Sequence, residues 1–235
     1  MNYAIIAAGE GSRLAQEGVA LPKPLVRLNG EPMLQRLINI FLRCKAQSIS
    51  LIINERMTEV REFVDTLDLP LPLNVVVKST PSSMHSFWEL SRVLPEGKFC
   101  LTTVDTIFRE ADFARYIDAF EADDTIDGLW GVTPFIDDEK PLYVEVNDAM
   151  RITAFRDKPF EGMRYVSGGI YGMTHHVFPL LNNCIENNMA RMRNFQRALV
   201  EAGFNLRAHS FDKIVDVDHA SDIEGAQRFL NTENQ

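Results

Sequence analysis

The chain holds 235 residues, with 24 Lys and Arg against 33 Asp and Glu, a formal net charge of −9 at pH 7. With 46% hydrophobic and 24% charged residues it has the composition of a chain that buries a core, which excludes an intrinsically disordered protein. The acidic balance leaves no electrostatic footprint for nucleic acid or anionic membranes, and no apolar run approaches the roughly 20 residues of a membrane-spanning helix.

The first segment, MNYAIIAAGEG, has no basic region before its short apolar run, so a secretory signal is not expected. Residues 3–8 read as a buried strand running into a glycine loop. Residues 24–28 read as a second strand closed by an Asn29-Gly30 turn. Met33, Leu34, Leu37, Ile38, Phe41 and Leu42 then mark one face of a helix, with Pro32 in its first turn. A strand over 48–53 and a helix through Met57, Val60, Phe63, Val64 and Leu67 follow. The pattern repeats as strand 73–77, helix 87–94, strand 99–104 and a helix carrying Phe113, Tyr116, Ile117 and Phe120. Strands separated by helices predict right-handed crossovers and a mostly parallel sheet covered on both faces.

The second half changes character. Residues 128–135, 142–146, 152–155 and 166–173 are strand-like with few helices between them, which predicts an antiparallel extension of the same sheet. Helical patterning returns over 177–202, and a last helix holds Ile223, Ala226, Phe229 and Leu230, with Ser221-x-x-Glu224 as a capping box near its start. No linker, repeat or low-complexity tract interrupts the chain, so 1–235 is expected to form one domain.

Ala7-Ala8-Gly9-Glu10-Gly11-Ser12-Arg13-Leu14 directly follows the first strand. Glycines there let backbone N–H groups approach an anion closely. A dinucleotide fingerprint needs a third glycine where Leu14 sits and a regular helix after it, which Gly18, Pro22 and Pro24 do not permit. A P-loop needs GxxxxGK[S/T], and no such string occurs. The remaining reading is a triphosphate loop closed by separate basic residues, Arg13 and Lys23.

This string resembles the signature of the nucleotidyltransferases that make nucleoside-diphosphate sugars, AAGxGxRL followed after seven residues by PKP; here 15–21 are the seven. Further segments resemble the family along nearly the whole chain. Thr80-Pro-Ser-Ser-Met-His-Ser86 lies where the family has a glycine-threonine loop that contacts the base, with Ser82 and Ser83 in place of that pair. Thr103-Val-Asp-Thr-Ile-Phe108 resembles G-D-x-I-F, and Phe155-Arg-Asp-Lys-Pro159 resembles F-x-E-K-P. Ser167-Gly-Gly-Ile-Tyr171 resembles the G-I-Y segment beside the sugar. Val215-Asp-Val-Asp-His-Ala-Ser-Asp222 resembles the closing D-x-x-T-P-E-D.

The resemblance implies an α/β fold, a Rossmann-like mostly parallel mixed sheet flanked by helices with an antiparallel β extension. It also implies a nucleoside triphosphate and a phosphorylated small-molecule acceptor as substrates, with Mg2+ as cofactor, residues 1–110 forming the nucleotide-binding half and 111–235 the acceptor-binding half. Ala7, Ala8, Gly9, Glu10, Gly11, Ser12, Arg13, Lys23, Ser82 and Ser83 would bind the nucleotide. Arg13, Lys23 and Asp105 would be catalytic, Asp105 with Asp216 or Asp218 would hold the metal, and Lys158 and Gly169 would meet the acceptor. Asp216 and Asp218 flank Val217 in strand alternation, which would face both side chains the same way.

The chain departs from the family at Leu142, in place of a glycine whose backbone meets the sugar, and at His219 and Ala220, in place of threonine and proline. The expected acceptor is a sugar 1-phosphate, with phosphocholine or a similar phosphorylated alcohol as the alternative. Molybdopterin-nucleotide enzymes favour a glycine where Ala8 stands and lack the PKPL context. A binding module without turnover would have lost part of the charged set, which is intact here. A glycosyltransferase would carry D-x-D where only Asp105 stands. Cys44, Cys100 and Cys184, odd in number and without a CxxC, read as thiols in a reducing, cytoplasmic compartment. Trp88 and Trp130 read as packing residues, His85, His175, His176 and His209 lack metal-ligand spacing, and no signal bears on oligomeric state.

Overall fold

Strand β1 (Asn2–Ala7) is buried along its whole length and lies at the centre of the sheet. The computed structural model describes residues 1–136 and 139–232. After β1 the glycine loop leads into a short helix, α1 (Ser12–Gln16). Residues 24–28 do not form one strand. Lys23–Leu25 make a single 3-10 turn, in which the Leu25 N–H bonds the Pro22 carbonyl at 2.8 Å, and only β2 (Arg27–Leu28) is extended. It pairs with β3 (Glu31–Pro32) through Asn29 and Gly30, whose φ angles of 51° and 88° are left-handed. Pro32 therefore ends that hairpin, one residue ahead of helix α2 (Met33–Arg43).

Strand β4 (Ser48–Ile53), helix α3 (Thr58–Asp65) and strand β5 (Leu73–Val77) follow. Helix α4 (Ser83–Ser91) starts four residues before the apolar pattern suggests, because the extended Ser82 turns the chain into it and Met84 is already buried. Then come β6 (Phe99–Thr103), the short β7 (Thr106–Ile107), α5 (Glu110–Ala122) and β8 (Gly128–Thr133). Strands β9 (Tyr143–Val146), β10 (Ile152–Arg156) and β11 (Tyr165–Met173) lead to α6 (Phe178–Glu186) and α7 (Met192–Glu201). The chain closes with β12 (Leu206–Ser210), β13 (Val215–Asp216) and α8 (Ala220–Asn231).

Among the described residues nine strands share one sheet, ordered β10-β9-β11-β6-β1-β4-β5, with β8 paired to β11 and β12. Strands β6, β1, β4 and β5 are parallel, and the antiparallel extension enters through β11 against β6. Alternation along β1 divides the core. Tyr3, Ile5 and Ala7 face the layer of α2, α3, α5 and α8, whereas Ala4, Ile6 and Ala8 face α4, α6 and α7. Tyr3 stacks on Phe41 of α2 with ring centroids 4.3 Å apart, and Phe108 on Phe113 of α5 at 4.7 Å. Burial of each such ring contributes about 1.5–3 kcal/mol, enough to dock its helix.

Trp130 is buried, and its Nε1–H donates to Gln196 at 3.2 Å, as befits a packing residue with a polar edge. The three cysteines are free thiols, and burial pushes Cys44 up to about 11. The capping residues of α8 differ from the expected pair. His219 is its N-cap, and Asp222 accepts from the N–H groups of Asp218 and His219 at 3.0 and 2.6 Å, while Glu224 turns to Arg228. No helix among the described residues is long and apolar enough to cross a membrane.

Candidate active site

The carboxyl ends of β1, β4, β5 and β6 open into one cavity of about 890 Å³. Ligands of open α/β sheets bind at such strand ends, because loops there diverge to leave a crevice. Gly9 to Arg13 line it from the end of β1, and Asn54, Ser79 and Thr80 from the ends of β4 and β5. Asn54 is buried and donates from Nδ2 to the Ala8 carbonyl at 3.0 Å, which braces the start of the glycine loop. Gly11 has φ 61°, and a Cβ there would stand 2.9 Å from Cβ of Lys23. Only glycine lets the lysine stem pack against the loop.

Lys23 is thereby pointed at two carboxylates. Its Nζ lies 2.5 Å from Asp105 Oδ2 and 2.6 Å from Asp218 Oδ1, and Arg13 Nη1 lies 3.1 Å from the other oxygen of Asp218. Burial alone would lower the Lys23 pKa, but Asp105 and Asp218 outweigh it and hold the ammonium above its ordinary value. Burial likewise opposes the charged form of Asp105, and Lys23 overcomes it, so that the carboxyl lies below the usual carboxylate range. Asp105 follows β6, whose next residue, Val104, is pinned to β1 by a 3.0 Å bond to the Ile6 carbonyl.

Asp216 and Asp218 both line the cavity, yet they serve different partners. Asp216 pairs in register with Thr106 on β7 and accepts from its Oγ1 at 3.3 Å, while Asp218 takes the two cations. Thr106 Oγ1 is in turn 2.7 Å from Thr103 Oγ1. Gly169, with φ 73°, passes so close that a Cβ would stand 2.6 Å from Thr106 Oγ1.

Ala8, Gly9, Glu10, Gly11, Ser12, Arg13, Lys23, Ser82, Ser83, Asp105, Gly169, Asp216 and Asp218 come together around this cavity. Ala7 lies buried in β1 behind it, outside the lining. Lys158 sits exposed on the turn after β10, also outside the lining; its neighbour Asp157 engages Arg193 at 2.7 Å and Arg197 at 2.6 Å. The lining instead contains residues that sequence reasoning left inside a helical pattern, Arg191, Arg193 and Gln196, and a residue of the G-I-Y segment not assigned a role, Tyr171. Arg191 has φ 72°, an uncommon conformation for a residue with a side chain, and its backbone N–H bonds Ser82 Oγ at 3.2 Å. Its guanidinium makes no ion pair among the described residues, whereas that of Arg193 is held by Asp157 and the Lys140 carbonyl.

Asp105 and Asp218 grip one ammonium between them, so this pair suits a hard cation. Among the described residues no group of three or more His, Cys, Asp and Glu gathers for a metal. Two carboxylates fit Mg2+, which ordinarily takes one or two protein carboxylates and completes its shell with water and substrate phosphates.

Parallel strands ending in a glycine loop, with a lysine paired to two carboxylates in the same cavity, define an open α/β domain with its crevice at the strand ends. Residues 3–155, well over half of the chain, match the family model described as MobA-like NTP transferase domain, and the chain belongs to that nucleotidyltransferase family. It is 27% identical over 113 residues to the 2-aminoethylphosphonate cytidylyltransferase of Lancefieldella rimae, covering 46% of this chain and 44% of that protein. It is 24% identical over 238 residues to the bifunctional IPC transferase and DIPP synthase of Thermococcus kodakarensis, covering 96% of this chain and 50% of that one. The chain thus spans about half the length of these curated relatives. The inositol-1-phosphate CTP transferase of T. maritima superposes with a TM-score of 0.79 at 20% identity over 97% of both chains, a likeness of fold.

Proposed function

We propose that this chain transfers a nucleoside monophosphate from a nucleoside triphosphate to a phosphorylated small-molecule acceptor, releasing pyrophosphate. The observation that carries the reading is the convergence of Arg13, Lys23, Asp105 and Asp218 beneath the glycine loop. An acceptor phosphate is already ionised and needs no strong general base, so the site must supply alignment and charge neutralisation. The N–H groups of Gly9 to Ser12 and the Arg13 guanidinium receive the β- and γ-phosphates. Lys23 turns from its carboxylates to the α-phosphate, where an oxygen of the acceptor attacks in line and pyrophosphate leaves. Asp105 and Asp218 would hold Mg2+, which supplies charge neutralisation at the transferring phosphoryl group. Ser82 and Ser83, which also line the cavity, would meet the base.

Arg191 is the side chain we assign to the acceptor's anion, since it lines the cavity with an unengaged guanidinium and Lys158 does not reach the lining. CTP is the nucleotide that the names of the Lancefieldella and T. maritima proteins favour. A sugar 1-phosphate is the first acceptor reading. A phosphorylated or phosphonylated small alcohol or amine is the second, favoured by the buried Leu142 in the cavity wall, which fills space a glycine would leave to a sugar ring. Pyrophosphate release, with magnesium, from each common nucleoside triphosphate against glucose 1-phosphate, inositol 1-phosphate, phosphocholine and 2-aminoethylphosphonate tests both. Release with one pair and not with the triphosphate alone supports transfer; nucleotide binding without release from any pair rejects it.

A further inference from the structure

His219 and Ala220, which replace the threonine and proline of the resembling family, meet a partner from the other end of the chain. Glu17, the C-cap residue just after α1, accepts from the Ala220 backbone N–H through Oε2 at 2.6 Å, and its Oε1 lies 2.6 Å from His219 Nδ1. An ionised carboxylate can only accept, so Nδ1 carries the hydrogen. The first bond exists only because residue 220 is not proline, which has no N–H to give. It also completes a helix terminus. The leading N–H groups of α8 have no partner inside the helix, and its positive end favours a carboxylate. Asp222 takes the N–H groups of Asp218 and His219, and Glu17 takes that of Ala220. The far side of the His219 ring faces Glu139, 3.9 Å from Nε2.

The same two segments are tied beside this contact by Arg13 and Lys23 to Asp218. Those ties use the two cations that a triphosphate must claim, so they weaken as the nucleotide enters. Neither Glu17 nor Ala220 lines the cavity, and their bond involves no group that the nucleotide needs. We propose that Glu17 is a positioning residue, clamping the phosphate loop to the Asp218 segment so that both stay in place when Arg13 and Lys23 turn to the phosphates. This rests on the nucleotide-binding reading of the cavity.

The test compares Glu17→Ala, Ala220→Pro, the double variant and Glu17→Gln with the parent. Calorimetric titration of ATP, CTP, GTP and UTP with magnesium gives affinity, and thermal melting without nucleotide reports the fold. Proline is well tolerated at the first position of a helix, so Ala220→Pro removes the donor without disrupting α8. The expected result is a loss of about tenfold in affinity for the best-bound nucleotide in Glu17→Ala and about three- to fivefold in Ala220→Pro. The double variant loses no more than Glu17→Ala, because both changes break one clamp. Glu17→Gln, which keeps an acceptor for the Ala220 N–H, recovers part of the loss. Parental affinity in Glu17→Ala, or losses that multiply in the double variant, overturns the proposal. So does a lowered affinity matched by an equally clear fall in melting temperature, which marks a structural role alone. A parent that binds none of the four nucleotides overturns the reading of the cavity itself, and the clamp's purpose with it.

Discussion

At position 23 one ammonium meets two carboxylates, and the proposed transfer draws it toward the α-phosphate. Replacing it tests whether that charge serves transfer. Lys23→Ala is expected to keep its far-UV circular dichroism and to lose about 3 kcal/mol of transition-state stabilisation, on the order of a hundredfold in kcat/KM. Kinetics close to the parent in a folded variant would remove Lys23 from the chemistry. A second comparison decides which cation receives the acceptor. Arg191→Met is expected to raise the acceptor KM about tenfold or more with the nucleotide KM held, whereas Lys158→Met changes it less than about threefold. The reverse order returns the acceptor to the D-K-P turn. Arg13, Lys23, Asp105 and Asp218 were legible because contiguous strings with fixed spacing carry them. Arg191 was not, since its place depends on a backbone angle of 72° and on a bond to Ser82, 109 residues away, which no local pattern encodes.

Among the elements, the parallel strands and the helices between them follow the apolar pattern, most clearly in β1 and β4, which are buried along their whole length. The edge strand β5 is mostly apolar in sequence but leaves Val75 and Val77 exposed. The short strands escaped it. In β12 only Leu206 and Ala208 are buried, alternating with Arg207 and His209, so its signal is too brief to separate from a loop. β7 and β13 hold two residues each and exist only through each other. Yet they deliver Asp216, and the crossing of Gly169 over Thr106 fixes their approach to β11. Gly169→Ala forces a side chain into a left-handed conformation and into contact with Thr106 Oγ1. It is expected to cost about 1–3 kcal/mol and to lower the melting temperature by several degrees. Gly9→Ala, where a Cβ meets nothing within 4 Å, serves as the control and is expected to melt like the parent. Equal melting of the two variants would show that the crossing tolerates a methyl group.

Across the whole molecule, stability is tied to pH through His209, whose ring packs edge-on against Tyr116 of α5 and near Phe211. Burial lowers its pKa, Arg115 lowers it further, and Asp112 opposes them only in part. A histidine with a depressed folded pKa takes up its proton more readily when unfolded. Its contribution is therefore intact above the ordinary value of 6.5 and is lost as pH falls through that value toward the folded one. Urea midpoints measured from pH 7.5 down to pH 5 are expected to fall, and His209→Gln to flatten that slope. Parallel slopes in the two proteins would place the loss elsewhere.

The carboxylate that meets both Arg13 and Lys23 is residue 218, about two hundred positions further along the chain. During synthesis the glycine loop leaves the ribosome well before Asp218, next to β1, whose parallel partner β4 follows about forty residues later. A nascent chain can therefore present the glycine loop and its two cations long before Asp218 and the Ala220 N–H exist to meet them. At that stage Arg13 and Lys23 have no Asp218 to pair with, and the cavity lacks both Asp216 and Asp218. The cavity gains its last lining residues only when β13 has paired with β7 and α8 has docked on the layer of α2 and α5. This face of the sheet therefore cannot be completed until about two hundred residues after the glycine loop have been made.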